Sequence, residues 1–196
     1  PNAEAFLDDL ILIRNSLKQH DPDQARGDIQ DLIRLVRSCG FHMASLDIRQ
    51  ESTWHTNVVA DIFAHAPNLP DYHSLDEAAR LDILNRLLAA PGVPLIFENN
   101  LSAETREQLA LMRTIARLRD LVGPHTFGSY IISMTHHASH ILEVLFLMRF
   151  AGLSGQDSEG RPYAALPIAP LFETIEDLKA IDDILPVLLD NPDYRA

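Results

Sequence analysis

Apolar positions recur at helical spacing along most of the chain and close up into near-continuous runs at three places. Phe6, Leu7, Leu10, Ile13 and Leu17 line one face of a helix expected over Ala3 to Gln19. Asp21-Pro22 is a start signal, Pro22 suiting the first turn, for a second helix that reaches about Ser38 and stops at Gly40. The two form a helical hairpin. Phe41 to Ile48 carries apolar residues in a near-continuous stretch, as in a strand buried on both faces. Ser52 and Thr53 then suit the start of a helix in which Val58, Val59, Ile62 and Phe63 recur at helical spacing to about His65. Pro67 to Pro70 is a loop, Leu75 to Leu88 a helix, and Phe97 to Leu101 irregular. Ser102 caps a long helix to about Val122, ended by Gly123-Pro124. Phe127 to Met134 and Leu166 to Phe172 are the second and third strands. Ser139 and Thr174 cap the helices that follow them, to about Phe150 and Leu189. The polar, glycine-rich stretch from Gly152 to Gly160 is expected to be a mobile loop.

Strand followed by helix, three times, with extra helices between the first and second strands, argues for an α/β fold, predominantly helical, with a parallel sheet or part of a barrel. About three strands are too few to close a barrel. Composition adds bounds. Apolar residues make up 46% of 196, enough for one core. The single cysteine, Cys39, rules out an internal disulfide and reads as an inert thiol. The longest apolar run, Ile141 to Phe150, carries Glu143 and Arg149 and is too short to span a bilayer. A net charge of −12 argues against nucleic acid as a partner but leaves small anionic substrates open, since these respond to local arginines and metal ions.

Arg49 stands where the first strand opens into its following loop, the edge at which α/β barrels do chemistry. A guanidinium there can bind phosphate or carboxylate with two parallel hydrogen bonds, or simply pair with Asp47 or Glu51. Glu173 ends the third strand as Arg49 ends the first, so both should face one rim. A carboxylate there suits Mg²⁺ or Mn²⁺, or serves only as an acidic start to a helix. His136 and His140 share a helical face, but with no acidic or cysteine partner at metal-site spacing they read as solvated histidines, His136 facing the rim. Asn100-Leu101-Ser102 fits a glycosylation sequon that a cytosolic protein would not use. No Walker loop or dinucleotide fingerprint is present.

Three segments resemble phosphoenolpyruvate carboxylase, of the bacterial type. Leu46-Asp47-Ile48-Arg49-Gln50-Glu51-Ser52-Thr53-Trp54-His55-Thr56 matches L/I-D-I-R-Q-E-S-x-x-H-T. Tyr130-Ile131-Ile132-Ser133-Met134, followed by Ser139 and Leu142, matches Y-I-I-S-M and its helix. Ala169 to Leu178 matches A-P-L-F-E-T-x-x-D-L, and Ser102 to Glu107 adds a weaker match. Trp54 departs from the family's usual charged residue, and Leu153 to Ala164 looks longer than usual. The family's T-A-H-P-T, G-Y-S-D-S-x-K-D and G-R-G-G segments do not occur.

The resemblance implies a TIM-barrel-like fold and an enzyme that carboxylates phosphoenolpyruvate with bicarbonate, giving oxaloacetate and phosphate. It implies an allosteric, cytoplasmic homotetramer supplying the tricarboxylic acid cycle, with Arg49 on the phosphate or carboxyphosphate, Glu173 on Mg²⁺ or Mn²⁺, and His55 in a supporting role. It also implies that residues 1–196 are a single excised middle portion, with 1–40 the hairpin and 41–196 a partial barrel with helices. Such a piece is expected to be inactive alone and to self-associate. Two other readings stay open: a purely structural fragment, and part of another barrel enzyme acting on phosphoenolpyruvate or pyruvate.

Overall fold

A computed structural model describes residues 2–195; Pro1 and Ala196, the ends of the expected segment, lie outside the described residues. The chain divides into two compact units, Pro1–Leu46 with Arg117–Gly128 and Asp47–Ala116 with Ser129–Ala196.

In the first unit, helix α1 (Ala3–His20) is capped by Asn2, whose Oδ1 accepts from the Ala5 N–H at 2.8 Å. Helix α2 spans Asp28–Cys39. Leu10, Ile33 and Val36 form their shared core, with Leu7, Ile11 and Ile29 packed around it. The second helix begins six residues later than Pro22 suggests. Asp21 Oδ1 instead accepts from Gln24 N–H and starts a short 3-10 turn, Gln24–Arg26, before Gly27. Gly40 ends α2 as expected, at φ 52°, where a side chain would strike the His42 ring.

The first strand departs from expectation. Strand β1 is Leu46–Glu51, not Phe41 to Ile48. Gly40 and Met43 both have positive φ, and the Met43 N–H donates to Cys39 O, so the backbone is still turning where the apolar run begins. Phe41 lies against Phe6, with ring centroids 5.8 Å apart. Nor is β1 buried on both faces: none of its six residues is buried.

The second unit carries most of the parallel sheet, in the order β1-β2-β5, with β2 at Phe127–Ser133 and β5 at Ile168–Pro170. Tyr130, Ile131 and Ile132 pair with Ile168, Ala169 and Pro170. The sheet is not closed into a barrel. Helix α3 (Ser52–His65) buries Val58, Val59, Ile62 and Phe63, the face that the spacing marks. Helix α4 is Glu77–Ala89, and α5 is Ala103–Val122, capped by Ser102 Oγ at 3.1 Å from Thr105 N. Helix α6 (Ser139–Arg149) packs against α3 and α4 and is buried from Ser139 to Met148. Phe63 meets Tyr72 and Phe146 edge-on in this core.

Ser139 does not cap α6. Its N–H and Oγ both donate to the Glu77 carboxylate, at 2.9 and 2.6 Å. The glycine-rich stretch expected to be mobile is the turn of a hairpin, β3 (Ser154–Gln156) with β4 (Pro162–Ala164). Asp157 holds that turn: its Oδ1 accepts from Glu159 and Arg161 N–H, and its Oδ2 from Arg161 Nε. Thr174 caps helix α7 (Ile175–Leu189) as expected, in a reciprocal pair with Asp177.

Candidate active site at the strand edge

The segment from Asp47 to Thr56 turns from strand to helix, and six of its nine polar side chains have a partner distant in sequence. Asp47 Oδ1 accepts from Ser129 N–H at 2.8 Å, tying β1 to β2. Glu51 accepts from Thr53 Oγ1. With both neighbouring carboxylates taken, Arg49 reaches across the sheet edge, and its Nη2 meets Glu173 Oε1 at 3.2 Å. Arg49 thus pairs with neither Asp47 nor Glu51. Its side chain is 59% exposed and that of Glu173 36%, so the pair adds little stability.

Met134 joins the two ends. Its N–H donates to Glu173 Oε2 at 2.9 Å, and its carbonyl accepts from Ser52 Oγ at 2.6 Å. Its φ is 55°, a left-handed conformation that costs a residue with a side chain roughly 1–2 kcal/mol. The two hydrogen bonds hold it there. Ser52 is therefore used to fasten β2's end and not to cap α3, whose first residue it is.

Three more residues of the segment are anchored inward. Trp54 Nε1 donates to Gln108 Oε1 at 3.2 Å, and Gln108 Nε2 donates to Tyr130 OH at 3.0 Å. Tyr130 OH lies 2.8 Å from His55 Nε2. Both His55 and Tyr130 are fully buried. Burial holds His55 neutral, its pKa lowered to about 3, and raises that of Tyr130 to about 12. Thr56 Oγ1 and Tyr72 OH donate to the two oxygens of Glu143, at 2.8 and 2.9 Å. Glu143 is fully buried and burial lifts its pKa to about 8, with Arg80 lying over the Tyr72 ring.

The histidines after β2 separate. His140 is 5% exposed and its pKa is lowered to about 3, first by burial and then by His137 and His136; its Nδ1 accepts from His136 N–H at 3.4 Å. It is not a solvated histidine. His136 lies toward the strand edge, its Nδ1 2.5 Å from Asp177 Oδ1. The hydrogen bond from His136 is the largest cause of the low pKa of Asp177, about 2. The other Asp177 oxygen accepts from Thr174 N–H. Sequence reasoning missed Asp177, because Thr174-x-x-Asp177 reads completely as a helix cap. Among the described residues no group of three or more His, Cys, Asp or Glu is arranged to hold a metal ion. Glu173 offers one exposed carboxylate, enough for a single oxygen ligand.

The family model described as phosphoenolpyruvate carboxylase matches residues 1–196. The chain belongs to the phosphoenolpyruvate carboxylase family. It is 38% identical to the phosphoenolpyruvate carboxylase of Azorhizobium caulinodans, over all of this chain and 21% of that protein. It is 39% identical to that of Mycobacterium avium over 96% of this chain, and 36% identical to that of Roseiflexus castenholzii over 97%, each match covering 20% of the relative. The chain thus spans about a fifth of the length of these curated relatives. In this carboxylase-family segment, Arg49 and Glu173, 124 residues apart in sequence, come into contact at one sheet edge. Among the described residues no helix is long and apolar enough to cross a membrane.

Proposed function

We propose that this chain contributes one wall of a carboxylase active site in which phosphoenolpyruvate and bicarbonate give oxaloacetate and phosphate. The observation that carries the reading is the Arg49–Glu173 contact at the edge of a parallel sheet, in a chain of this family. Arg49 is exposed and, among the described residues, its only side-chain partner is an exposed carboxylate, so the guanidinium is available to an anion. Transfer of the phosphoryl group from the enol oxygen to bicarbonate spreads negative charge over several oxygens, and a permanently charged planar donor stabilises that charge. Loss of carbon dioxide from the resulting carboxyphosphate releases phosphate, and the enolate carbon then takes up the carbon dioxide.

Glu173 is a candidate ligand for Mg²⁺ or Mn²⁺, with the remaining ligands supplied from beyond this chain. The ion would supply positive charge to stabilise the developing anion. The three strands are read as neighbours in a TIM-barrel-like sheet. The whole enzyme is read as a cytoplasmic, allosterically controlled homotetramer that feeds oxaloacetate to the tricarboxylic acid cycle. Alone, residues 1–196 form a single segment that is inactive, lacking a complete metal site, and that self-associates through the open edge of β1. A coupled assay with malate dehydrogenase tests the reading in the full-length carboxylase carrying this chain. Oxaloacetate formed from phosphoenolpyruvate, dependent on bicarbonate and a divalent cation, is the expected result; its absence would overturn the assignment.

A further inference from the structure

Three consecutive residues after β2 are laced to the segment that follows β5. Met134 N–H donates to Glu173 Oε2, Thr135 N–H to Leu171 O at 3.1 Å, and His136 Nδ1 meets Asp177 Oδ1. His136 is therefore fixed at the same sheet edge as Arg49 and Glu173. Its ring is 39% exposed, while the Asp177 carboxylate behind it is 3% exposed. With its pKa at about 2, Asp177 is ionised and can only accept, so the hydrogen between the two groups belongs to Nδ1. In the neutral ring Nε2 then carries a lone pair and has no partner among the described residues. A carboxylate that fixes one nitrogen of a histidine so as to present the other is a positioning device. Asp177 is itself immobilised, because its second oxygen caps α7 through Thr174.

A hydrogen-bond acceptor selects between the two substrates of the proposed reaction. The phosphate of phosphoenolpyruvate is largely ionised above its second pKa of about 6 and offers only acceptors. Bicarbonate keeps an O–H. We propose that His136, positioned by Asp177, is a bicarbonate-binding residue whose Nε2 accepts a hydrogen bond from the bicarbonate hydroxyl. The inference rests on the carboxylase reading and adds a role for one of its substrates.

Two isosteric substitutions separate the nitrogens. His136→Asn keeps a donor near the Nδ1 position, and so the bond to Asp177, but removes the distal acceptor. His136→Gln places an amide oxygen near Nε2. In the full-length carboxylase, His136→Asn should raise the bicarbonate KM about tenfold or more, the scale of a hydrogen bond to a charged partner. The phosphoenolpyruvate KM should stay within roughly twofold, and His136→Gln should recover most of the loss. An unchanged bicarbonate KM in His136→Asn, or equal increases in both KM values, overturns the proposal. Nitrogen-15 NMR of the histidine rings, on residues 1–196 themselves, gives a readout independent of activity. The Nδ1–H tautomer is expected at His136, and its loss in Asp177→Asn; an Nε2–H tautomer in the wild type overturns the proposal even if a variant fails to fold. A wild-type enzyme that forms no oxaloacetate defeats the carboxylase reading, whereas an active wild type with an indifferent His136→Asn defeats only this inference.

Discussion

Residues 47–51 and 52–56 are consecutive, yet they have opposite surroundings. In the strand half, Asp47, Arg49 and Glu51 are exposed, and the one long-range side-chain ion pair, Arg49 to Glu173, lies in solvent. In the helix half, Ser52 and His55 are fully buried, and Ser52, Trp54, His55 and Thr56 each bond a different distant residue. Buried hydrogen bonds are costly to break because the orphaned partner cannot turn to water, while exposed ion pairs are worth little. The helix half therefore holds the strand half in place, and the strand half stays exposed to solvent.

The largest stability effect is expected at His55. His55→Ala removes a buried ring and leaves Tyr130 OH without its His55 partner, which should cost about 3–4 kcal/mol. In a chain of this size that lowers the Tm by roughly 6–16 °C. A loss below about 1 kcal/mol would mean that the network is not what fixes the segment.

The pH dependence of stability sharpens the same contrast. Glu143, raised from 4.5 to about 8, keeps its proton in the fold after the unfolded chain has lost it, so stability falls as pH rises across that range. His55 and His140, lowered from 6.5 to about 3, act in the opposite sense. The unfolded chain takes up their protons below 6.5 while the fold does not, so stability falls as pH drops from 6.5 toward 3. Between 4.5 and 6.5 the two histidines outweigh the one carboxyl. Stability should therefore peak near pH 6.5 and decline above it by about 1.4 kcal/mol per pH unit until pH 8. Glu143→Gln, which resembles the protonated carboxyl, should abolish the alkaline decline in urea-unfolding experiments. A decline that persists in that variant would locate the titrating group elsewhere.

The smallest stability effect is expected in the exposed half. Glu173→Gln should change unfolding free energy by less than about 1 kcal/mol, since both partners of its ion pair are solvated. In the full-length carboxylase the same substitution should raise the Mg²⁺ concentration needed for half-maximal activity, because a hard cation prefers the charged oxygen. An unchanged metal-activation curve would remove Glu173 from the metal's ligands.

Much of this was legible in the sequence. Helical spacing locates α1, α3 and the buried face of α3. Thr174 and Ser102 marked their helix starts because capping is a local interaction. Arg49 and Glu173 are placed on one rim because each reads as the end of a strand in one parallel sheet. What was not legible depends on partners far away in sequence. The start of β1 is not legible, because an apolar run does not reveal that Gly40 and Met43 turn the backbone through it. Ser139 and Ser52 have the sequence context of caps, but Glu77 and the Met134 carbonyl take their hydroxyls. His140 looked solvated because nothing in its spacing tells that α6 is buried nearly all round. The Gly152 to Gly160 turn looked mobile because glycine content does not report that Asp157 locks it.

Arg49→Ala in the full-length carboxylase is the most direct test that the exposed half acts and the buried half supports. A lost contact to a charged transition-state oxygen should lower turnover roughly 10²- to 10³-fold. The Tm should shift by no more than about 3 °C, because the ion pair that is lost is exposed. Turnover close to wild type, or a Tm lowered by many degrees with the folded fraction fully active, would make Arg49 a structural residue and contradict the account.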